Sequence, residues 1–172
     1  MRHRIILPLV STIALGSAGR LGAQEQALEG HVNWARTTQT HQNSWGAGAQ
    51  YQLTFGATHD PLRLGGSLGA DYQKQENGGP SQFNVSTDIT VQPGGGGAVT
   101  PYVGGSVGAN WMSGGGAPSG TKLGLNYIVG AQVKPESNGP IALRFEVRPG
   151  YVRTQEHAIT YRFGVSTTLG GS

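Results

Sequence analysis

The segment WGAGAQYQLTF, residues 45–55, decides the fold because two kinds of residue alternate along it. Its odd-numbered positions carry Trp, Ala, Tyr, Leu and Phe, and its even-numbered positions carry Gly, Gln and Thr. Residues two apart lie on the same face of a β-strand, so the segment predicts a strand with one apolar face. The other face holds glycine and uncharged polar groups, which is unusual for a strand surface that meets water.

The same period of two recurs in eight segments of the chain. Between them stand stretches such as ENGGPS (76–81) and PESNGP (135–140), in which Gly, Asn and Pro favour turns. Thirty glycines also argue against a helical protein. The sequence therefore predicts an all-β protein with strands at Leu28–Arg36, Trp45–Phe55, Leu62–Tyr72, Phe83–Val91, Val99–Trp111, Lys122–Val133, Ile141–Tyr151 and Ala158–Leu169.

The distribution of glycine indicates which face of the strands points inward. Gly30, Gly66 and Gly105 share the apolar face, whereas many more glycines share the polar face. In a soluble sandwich the polar face would meet water and gain nothing from glycine, but the narrow interior of a small barrel requires small residues. We therefore expect the polar face to line the lumen of an eight-stranded, antiparallel, up-and-down transmembrane β-barrel. The polar-face glycines are Gly46, Gly48, Gly65, Gly69, Gly104, Gly108, Gly124, Gly130 and Gly164.

With this orientation, the charged residues of the strands collect inside the barrel. The two signs are balanced, as a closed polar interior requires. Tyr102 and Ile128 are the large apolar residues that share this face. We expect the charges to form a network that plugs the lumen, and the alternative is a gated or ion-selective pore. The predicted network consists of Glu29, Arg63, Asp71, Asp88, Arg144, Glu146, Arg148 and Arg162.

Aromatic residues recur at one end of the predicted strands. If the N-terminus lies in the periplasm, odd-numbered strands run outward, and their last aromatic residues lie at the outer rim beside the first aromatic residues of the returning strands. An aromatic girdle at the membrane interface is typical of membrane barrels. The predicted girdle consists of Trp34, Trp45, Tyr72, Phe83, Trp111, Tyr151 and Tyr161.

The N-terminus has the pattern of a secretory signal peptide. Arg2 and Arg4 precede an apolar run from Ile5 to Leu15, and small residues follow as far as Ala23. We expect a signal peptide over residues 1–23 and a barrel domain over 24–172. The remaining chain has nine Lys plus Arg and nine Asp plus Glu, so its net charge gives no reason to expect nucleic-acid binding. The chain has no cysteine, which excludes disulfides and thiolate metal sites.

Two segments carry a resemblance to a known family. TPYVGGSVGANW (100–111) and YRFGVSTTL (161–169) resemble strands of the small outer-membrane barrels of the OmpA, OmpX and opacity-protein type. The resemblance implies an eight-stranded antiparallel barrel that is monomeric or weakly self-associating and has no cofactor. It also implies a Gram-negative outer membrane with its lipid and lipopolysaccharide as partners, and a closing strand read by the barrel-assembly machinery. Here Leu169, Gly170, Gly171 and Ser172 stand where the family ends its closing strand with an aromatic residue.

The family does not imply one function, because it contains structural, adhesive, protective and enzymatic proteins. The predicted outer loops, 37–44, 73–82, 112–121 and 152–157, are short and rich in Gly, Thr, Gln and Ser. Short loops favour a structural role in the envelope over specific host binding, and we expect the protein not to be an enzyme. The alternatives are a small porin-like channel, a loop-mediated adhesin and a lipid-A-modifying enzyme.

Three patterns could carry chemistry, and each has a simpler interpretation. GGSLG (65–69) and GGSVG (104–108) match a nucleophile elbow, but the alternation continues through Ser67 and Ser106, which favours lumen packing over a sharp turn. His157 with Glu156 and Ser113 or Ser119 provides the residue types of a hydrolase. His41, His157 and Glu156 could bind a divalent metal. Solvated loop residues explain both sets, and we expect no metal site.

Overall fold

The fold is an eight-stranded barrel in the computed structural model, which describes residues 25–38, 40–114, 120–136, 139–152 and 157–170 and gives the backbone alone for 151, 152 and 170. The predicted signal peptide lies outside these residues. The strands are β1 (Glu25–Thr37), β2 (Asn43–Phe55), β3 (Leu62–Gln75), β4 (Ser81–Pro93), β5 (Val99–Ser113), β6 (Thr121–Val133), β7 (Ile141–Val152) and β8 (Ala158–Gly170).

The strands follow one another around a closed barrel in chain order, and β1 pairs with β8 to complete it. All eight pairings are antiparallel. The predicted eight-stranded antiparallel barrel is therefore confirmed. Within the described residues, no helix is long and apolar enough to span a membrane.

Several strands extend further than the alternation predicts, and the extension is largest at the end of the barrel where β1 ends. β3 continues to Gln75 and β5 to Ser113, so the predicted loops 73–82 and 112–121 are partly strand. Beyond Tyr72 the residues Gln73, Lys74 and Gln75 are polar on both faces, so the apolar alternation disappears from the sequence there. Backbone pairing continues regardless, with Ser44 opposite Gln75 and Ser81 opposite Ser113.

The turns use residues that tolerate left-handed backbone conformations. Asn77 and Gly78 have φ values of 58° and 74°, which suits the tight turn predicted from ENGGPS between β3 and β4. The β6–β7 ladder also has a local interruption, because pairing stops at Asn126 opposite Gly150 and resumes at Val129 opposite Val147. Pro149 lies in this gap and has no N–H to donate.

The interior of the barrel is polar. Among the described residues, the buried apolar side chains are Ala35, Tyr102, Ile128 and Ala142. Tyr102 and Ile128 are the two large apolar residues that the alternation places on the inner face. Most of the other buried side chains carry charge, an amide or a hydroxyl. Exposed large apolar side chains occur on all eight strands, so the usual arrangement of a soluble protein is reversed.

Candidate functional site

Buried ionised and hydrogen-bonding groups occupy the middle of the lumen. Alternation carries the side chains inward from β1, β3, β4, β7 and β8, and each of the eight residues of this group is at most 8% exposed. We call this group the central cluster. It consists of Glu29, His31, Asp71, Asp88, Arg144, Glu146, Arg148 and Arg162.

Asp71 is the acceptor at the centre of one half of the cluster. Arg162 on β8 donates through Nη2 to both carboxylate oxygens of Asp71, at 3.0 and 2.9 Å. Asn33 donates to Oδ1 through Nδ2 at 2.6 Å, and Nε2 of His31 lies 2.6 Å from the same oxygen. Arg162 also donates to Asn33 and, through Nη1, to Gln50. These contacts link β1, β2, β3 and β8.

Glu146 is the corresponding acceptor of the other half. Arg148 donates through Nε to Oε2 at 2.5 Å, and Arg144 donates through Nη2 to Oε1 at 3.1 Å. Tyr102 on β5 donates its hydroxyl to the same Oε1 at 2.8 Å, and the Arg144 guanidinium lies 4.5 Å from the Tyr102 ring centroid. Arg148 also donates to Asp88 on β4 at 2.6 Å. This half links β4, β5 and β7.

Two longer contacts join the halves. Arg144 Nη1 lies 3.4 Å from Glu29 Oε2, and Arg162 Nη1 lies 3.8 Å from Glu146 Oε2. Gln50 and Gln52 on β2 donate to Glu29 as well. The cluster and its partners therefore connect seven strands, and Ile128 fills the lumen from β6.

The charges of the central cluster balance only if His31 is counted as a cation. Four carboxylates face three guanidinium groups. His31 lies between two of the carboxylates, with Nε2 2.6 Å from Asp71 and Nδ1 3.3 Å from Glu29. A neutral imidazole donates through one nitrogen and would turn the lone pair of the other toward a carboxylate. An imidazolium places a proton on each side and makes the cluster neutral.

Arg63 lies inside the barrel but apart from the central cluster. It pairs with Glu25 at 3.3 Å, near the end of the barrel that holds Glu25 and Gly170, and Lys134 approaches the other oxygen of Glu25 at 3.2 Å. We call this end the terminal mouth and these three residues the terminal trio. Of the eight predicted network residues, the structure brings seven together and places Arg63 in the trio.

Glycines leave the space that the central cluster occupies. A Cβ at Gly48 would lie 2.5 Å from Asp71 Oδ1 and 2.6 Å from His31 Nε2, and one at Gly130 would lie 2.6 Å from the Tyr102 ring. Gly164 faces the side chain of Glu29 in the same way. The outward-facing Gly30 and Gly66 have nothing within 4 Å of a built Cβ. The inward positions therefore require glycine, because a larger side chain would collide with the groups that fill the lumen.

The side chains that the structure describes leave a cavity at the opposite end of the barrel, where β1 ends and β2 begins. We call this end the aromatic mouth, because the outward-facing Trp34 and Trp45 are paired there. The cavity has a volume of about 410 Å³, and we call it the cup. Its floor includes Asp71, Arg148 and Arg162 of the central cluster. The cavity at the terminal mouth measures only about 30 Å³.

The predicted girdle residues form two groups on the outside of the aromatic mouth. Trp34 lies 5.2 Å from Tyr161 and 6.2 Å from Trp45, measured between ring centroids. Phe83 lies 5.8 Å from Trp111 and is paired with Tyr72 on β3. The two groups occupy neighbouring rows of the sheet. The side chain of Tyr151 lies outside the described residues.

The described residues of the sequence patterns that could indicate catalysis or metal binding are not arranged as an active site or a metal site. Ser67 and Ser106 lie within β3 and β5, as the continued alternation predicts. The loops that follow β1 and precede β8 meet, since the Thr38 N–H donates to the His157 carbonyl at 2.9 Å. Ser119 and Glu156 lie outside the described residues. Within the described ranges, no group of three His, Asp or Glu side chains could hold a metal.

The sequence reasoning missed several members of the lumen network. His31, Asn33 and Gln50 lie on the same inward face as Glu29, so parity alone could have found them. Formal charge alone does not single them out. Glu25 and Lys134 lie outside the predicted strand segments, and no signal in the sequence linked them to Arg63.

The barrel is similar to solved structures of outer-membrane proteins. Neisserial surface protein A (NspA) shares 13% identity over 83% of this chain and 95% of its own, with a TM-score of 0.58. The attachment invasion locus protein Ail of Yersinia pestis shares 16% over 86% of this chain and its full length, with a TM-score of 0.59. The outer membrane enzyme PagL shares 12% over 81% and 98%, with a TM-score of 0.60.

The fold is that of the small outer-membrane barrels. No family model and no curated protein sequence matches the chain. At such low identities the likeness concerns the fold, and it extends across nearly the whole length of each of the three structures. The three include an enzyme and proteins of other kinds, so the barrel fold by itself carries no activity.

Proposed function

We propose that this protein is an integral barrel of a Gram-negative outer membrane, exported by its N-terminal signal peptide. The observation that carries the proposal is the belt of exposed apolar side chains around a charged interior. Leu68 on β3, Val103 on β5 and Val129 on β6 are each more than half exposed, whereas Glu29 is fully buried. In water such a surface would aggregate, but acyl chains solvate it without cost.

The aromatic rows support an orientation in the membrane. Tryptophan and tyrosine prefer the interface between acyl chains and head groups, and both groups of aromatic residues lie at the aromatic mouth. We propose that this mouth faces outward and the terminal mouth faces the periplasm. The lipid and lipopolysaccharide of the outer membrane then surround the belt, and the barrel-assembly machinery inserts a monomer.

We further propose that the lumen is closed and that the role is structural, without catalysis. The central cluster supports closure, because its side chains are buried and meet across the lumen from opposite strands. Any ion crossing the barrel would have to separate hydrogen-bonded partners such as Arg148 and Asp88. In eight-stranded barrels, side chains fill the interior.

Electrophoresis tests the membrane barrel. Protein extracted from membranes should migrate faster unheated than boiled, because a closed barrel keeps its compact fold in cold detergent. If the mature chain is instead recovered as a folded monomer in buffer without detergent, the membrane assignment is wrong.

Planar bilayers test the closed lumen. We expect no discrete conductance steps from the wild-type barrel, because the central cluster fills its middle. Regular steps that depend on protein concentration would instead favour the alternative of a small pore. Lipid-A mass spectrometry of cells with and without the protein would reveal an enzyme, and cell binding after loop deletion would reveal an adhesin.

A further inference from the structure

We infer that the cup at the aromatic mouth is a binding site for a small, uncharged, polyhydroxylated molecule such as a sugar. The inference goes beyond the structural role and is carried by the cup's volume, its lining and the neutrality of its floor. The volume of about 410 Å³ is within the range of small-molecule pockets.

The lining consists largely of groups that both donate and accept hydrogen bonds. Amides from four strands face the cavity, together with hydroxyls such as Ser86 and Thr160. The strand amides are those of Gln73, Gln75, Gln82, Asn84, Asn110 and Asn126, and Gln42 adds one from the loop between β1 and β2. Sugar hydroxyls likewise both donate and accept, so amides are suitable partners for them. The apolar part of the lining comes from Ala35, Pro80, Met112 and Ala158, and none of the described lining residues is Leu, Ile, Val or aromatic, which disfavours a large apolar ligand.

Part of the lining is held in place before any ligand arrives. Gln82 and Asn84 both donate to Asn110 Oδ1, at 2.5 and 2.8 Å, and Asn110 donates to the Lys122 carbonyl at 3.3 Å. These residues belong to the paired strands β4 and β5, and Asn84 lies directly opposite Asn110. Amides fixed in this way lose little freedom on binding, which favours affinity.

The floor of the cup disfavours charged ligands. Arg162 directs Nε, Nη1 and Nη2 at Asn33, Gln50 and Asp71, and Arg148 directs Nε and Nη2 at Glu146 and Asp88. Five of the six guanidinium nitrogens of these two residues thus donate to carboxylates and amides. With His31 as a cation the cluster below the cup is neutral, so the floor attracts neither an anion nor a cation. The central cluster also closes the cup below, so a ligand can enter without passing through.

Solution NMR of the barrel folded in a phosphocholine detergent tests the inference, because the side-chain NH₂ resonances of Asn and Gln report on the cup and on the terminal mouth separately. Glucose and sucrose are the neutral probes and inorganic phosphate is the charged control. We expect one of the sugars to cause saturable shifts at Gln82, Asn84 and Asn110. Gln92 and Gln132, which line the cavity of the terminal mouth, should not shift.

Two matched variants complete the test. Asn84→Leu should weaken sugar binding about tenfold, a change of 1.4 kcal/mol, whereas Gln92→Leu should leave it unchanged. Gln82→Leu provides a second probe of the cup if Asn84→Leu does not fold. Gel mobility before and after boiling establishes the fold of each sample independently.

Three results would overturn the inference. They are shifts that do not saturate, equal shifts at Gln92, and saturable shifts with phosphate instead of sugar. If the barrel still migrates faster unheated than boiled, any of these results would contradict the sugar site but not the proposed membrane barrel. Equal migration of the unheated and boiled wild-type protein would instead count against the proposed function.

Discussion

The central cluster and the terminal trio both place Arg and Glu inside one barrel, but they differ in depth and connectivity. The side chains that form ion pairs in the cluster are 0–10% exposed, and their contacts link seven strands. The three side chains of the trio are 10–26% exposed, and two partners share the single carboxylate of Glu25. The same residue types should therefore stabilise the fold to very different degrees.

The difference follows from solvent access. At the terminal mouth, water can replace a lost partner, and exposed ion pairs contribute little. In the middle of the lumen the side chains are almost fully buried, so removing one member leaves its partners buried and uncompensated. The central cluster should determine whether the barrel holds together, whereas the trio mainly fills one end of it.

The largest effect is expected from Glu146→Ala. It removes the acceptor shared by Arg144, Arg148 and Tyr102, so the free energy of unfolding should fall by about 3–5 kcal/mol. Urea titration of the barrel folded in lipid vesicles measures it. Glu136→Ala is the matched control, because Glu136 is an exposed carboxylate in the turn between β6 and β7. Equal unfolding curves for the two variants would show that the lumen is wet and the cluster solvated.

A smaller effect is expected from His31→Leu. The variant leaves four carboxylates facing three guanidinium groups, and it removes the hydrogen bond of Nε2 with Asp71 and the ion pair of Nδ1 with Glu29. Hydrogen bonds to charged groups contribute about 1.5–3 kcal/mol, which is the expected loss of unfolding free energy. Nitrogen NMR of the wild-type ring should find protons on both Nδ1 and Nε2 at neutral pH. A single protonated nitrogen, together with unchanged stability of the variant, would contradict the charge count.

Two neighbouring glycines on β5 allow the crowded inner face of the barrel to be compared with its open outer face. A Cβ at the inward-facing Gly104 would lie 2.9 Å from the Thr90 Cα and would also contact the Ile89 carbonyl. A Cβ at the outward-facing Gly105 would meet only the Asn126 carbonyl oxygen, at 3.7 Å. Gly104→Ala should destabilise the barrel by about 1–3 kcal/mol, whereas Gly105→Ala should be neutral or stabilise it by up to about 1 kcal/mol. If urea titration shows that Gly105→Ala destabilises the barrel more than Gly104→Ala, the assignment of the inner and outer faces is wrong.

The sequence predicted the strands and the two faces because both depend on local pattern. Alternation needs only residues two apart, and the crowded Gly48 and Gly130 lie on the face that the glycine count assigned to the lumen. The ion partners depend on register and closure, which no local pattern encodes. Arg162 reaches Asp71, 91 residues away, and Arg148 reaches Asp88, 60 residues away.

Arg63 also shows what a local pattern leaves undetermined. Its parity correctly places it inside, but its height in the barrel is set by its position near the start of β3, next to the terminal mouth. Height is a property of the closed sheet and not of parity. The balance of four positive and four negative charges expected from the sequence therefore includes Arg63, whereas the balance in the central cluster requires His31.

The smallest effect is expected from Glu25→Ala in the terminal trio. Arg63 keeps its contact with the Gly56 carbonyl, at 3.3 Å, and Lys134 is the most exposed of the three side chains. Water can therefore solvate both cations after the substitution. The free energy of unfolding should fall by about 0.2–1 kcal/mol, the range of exposed ion pairs. The loss should shrink further in high salt, which screens exposed charges but not the central cluster. A loss as large as that of Glu146→Ala and insensitive to salt would mean that the terminal mouth is as dry as the middle of the lumen, and the distinction between the two sites would disappear.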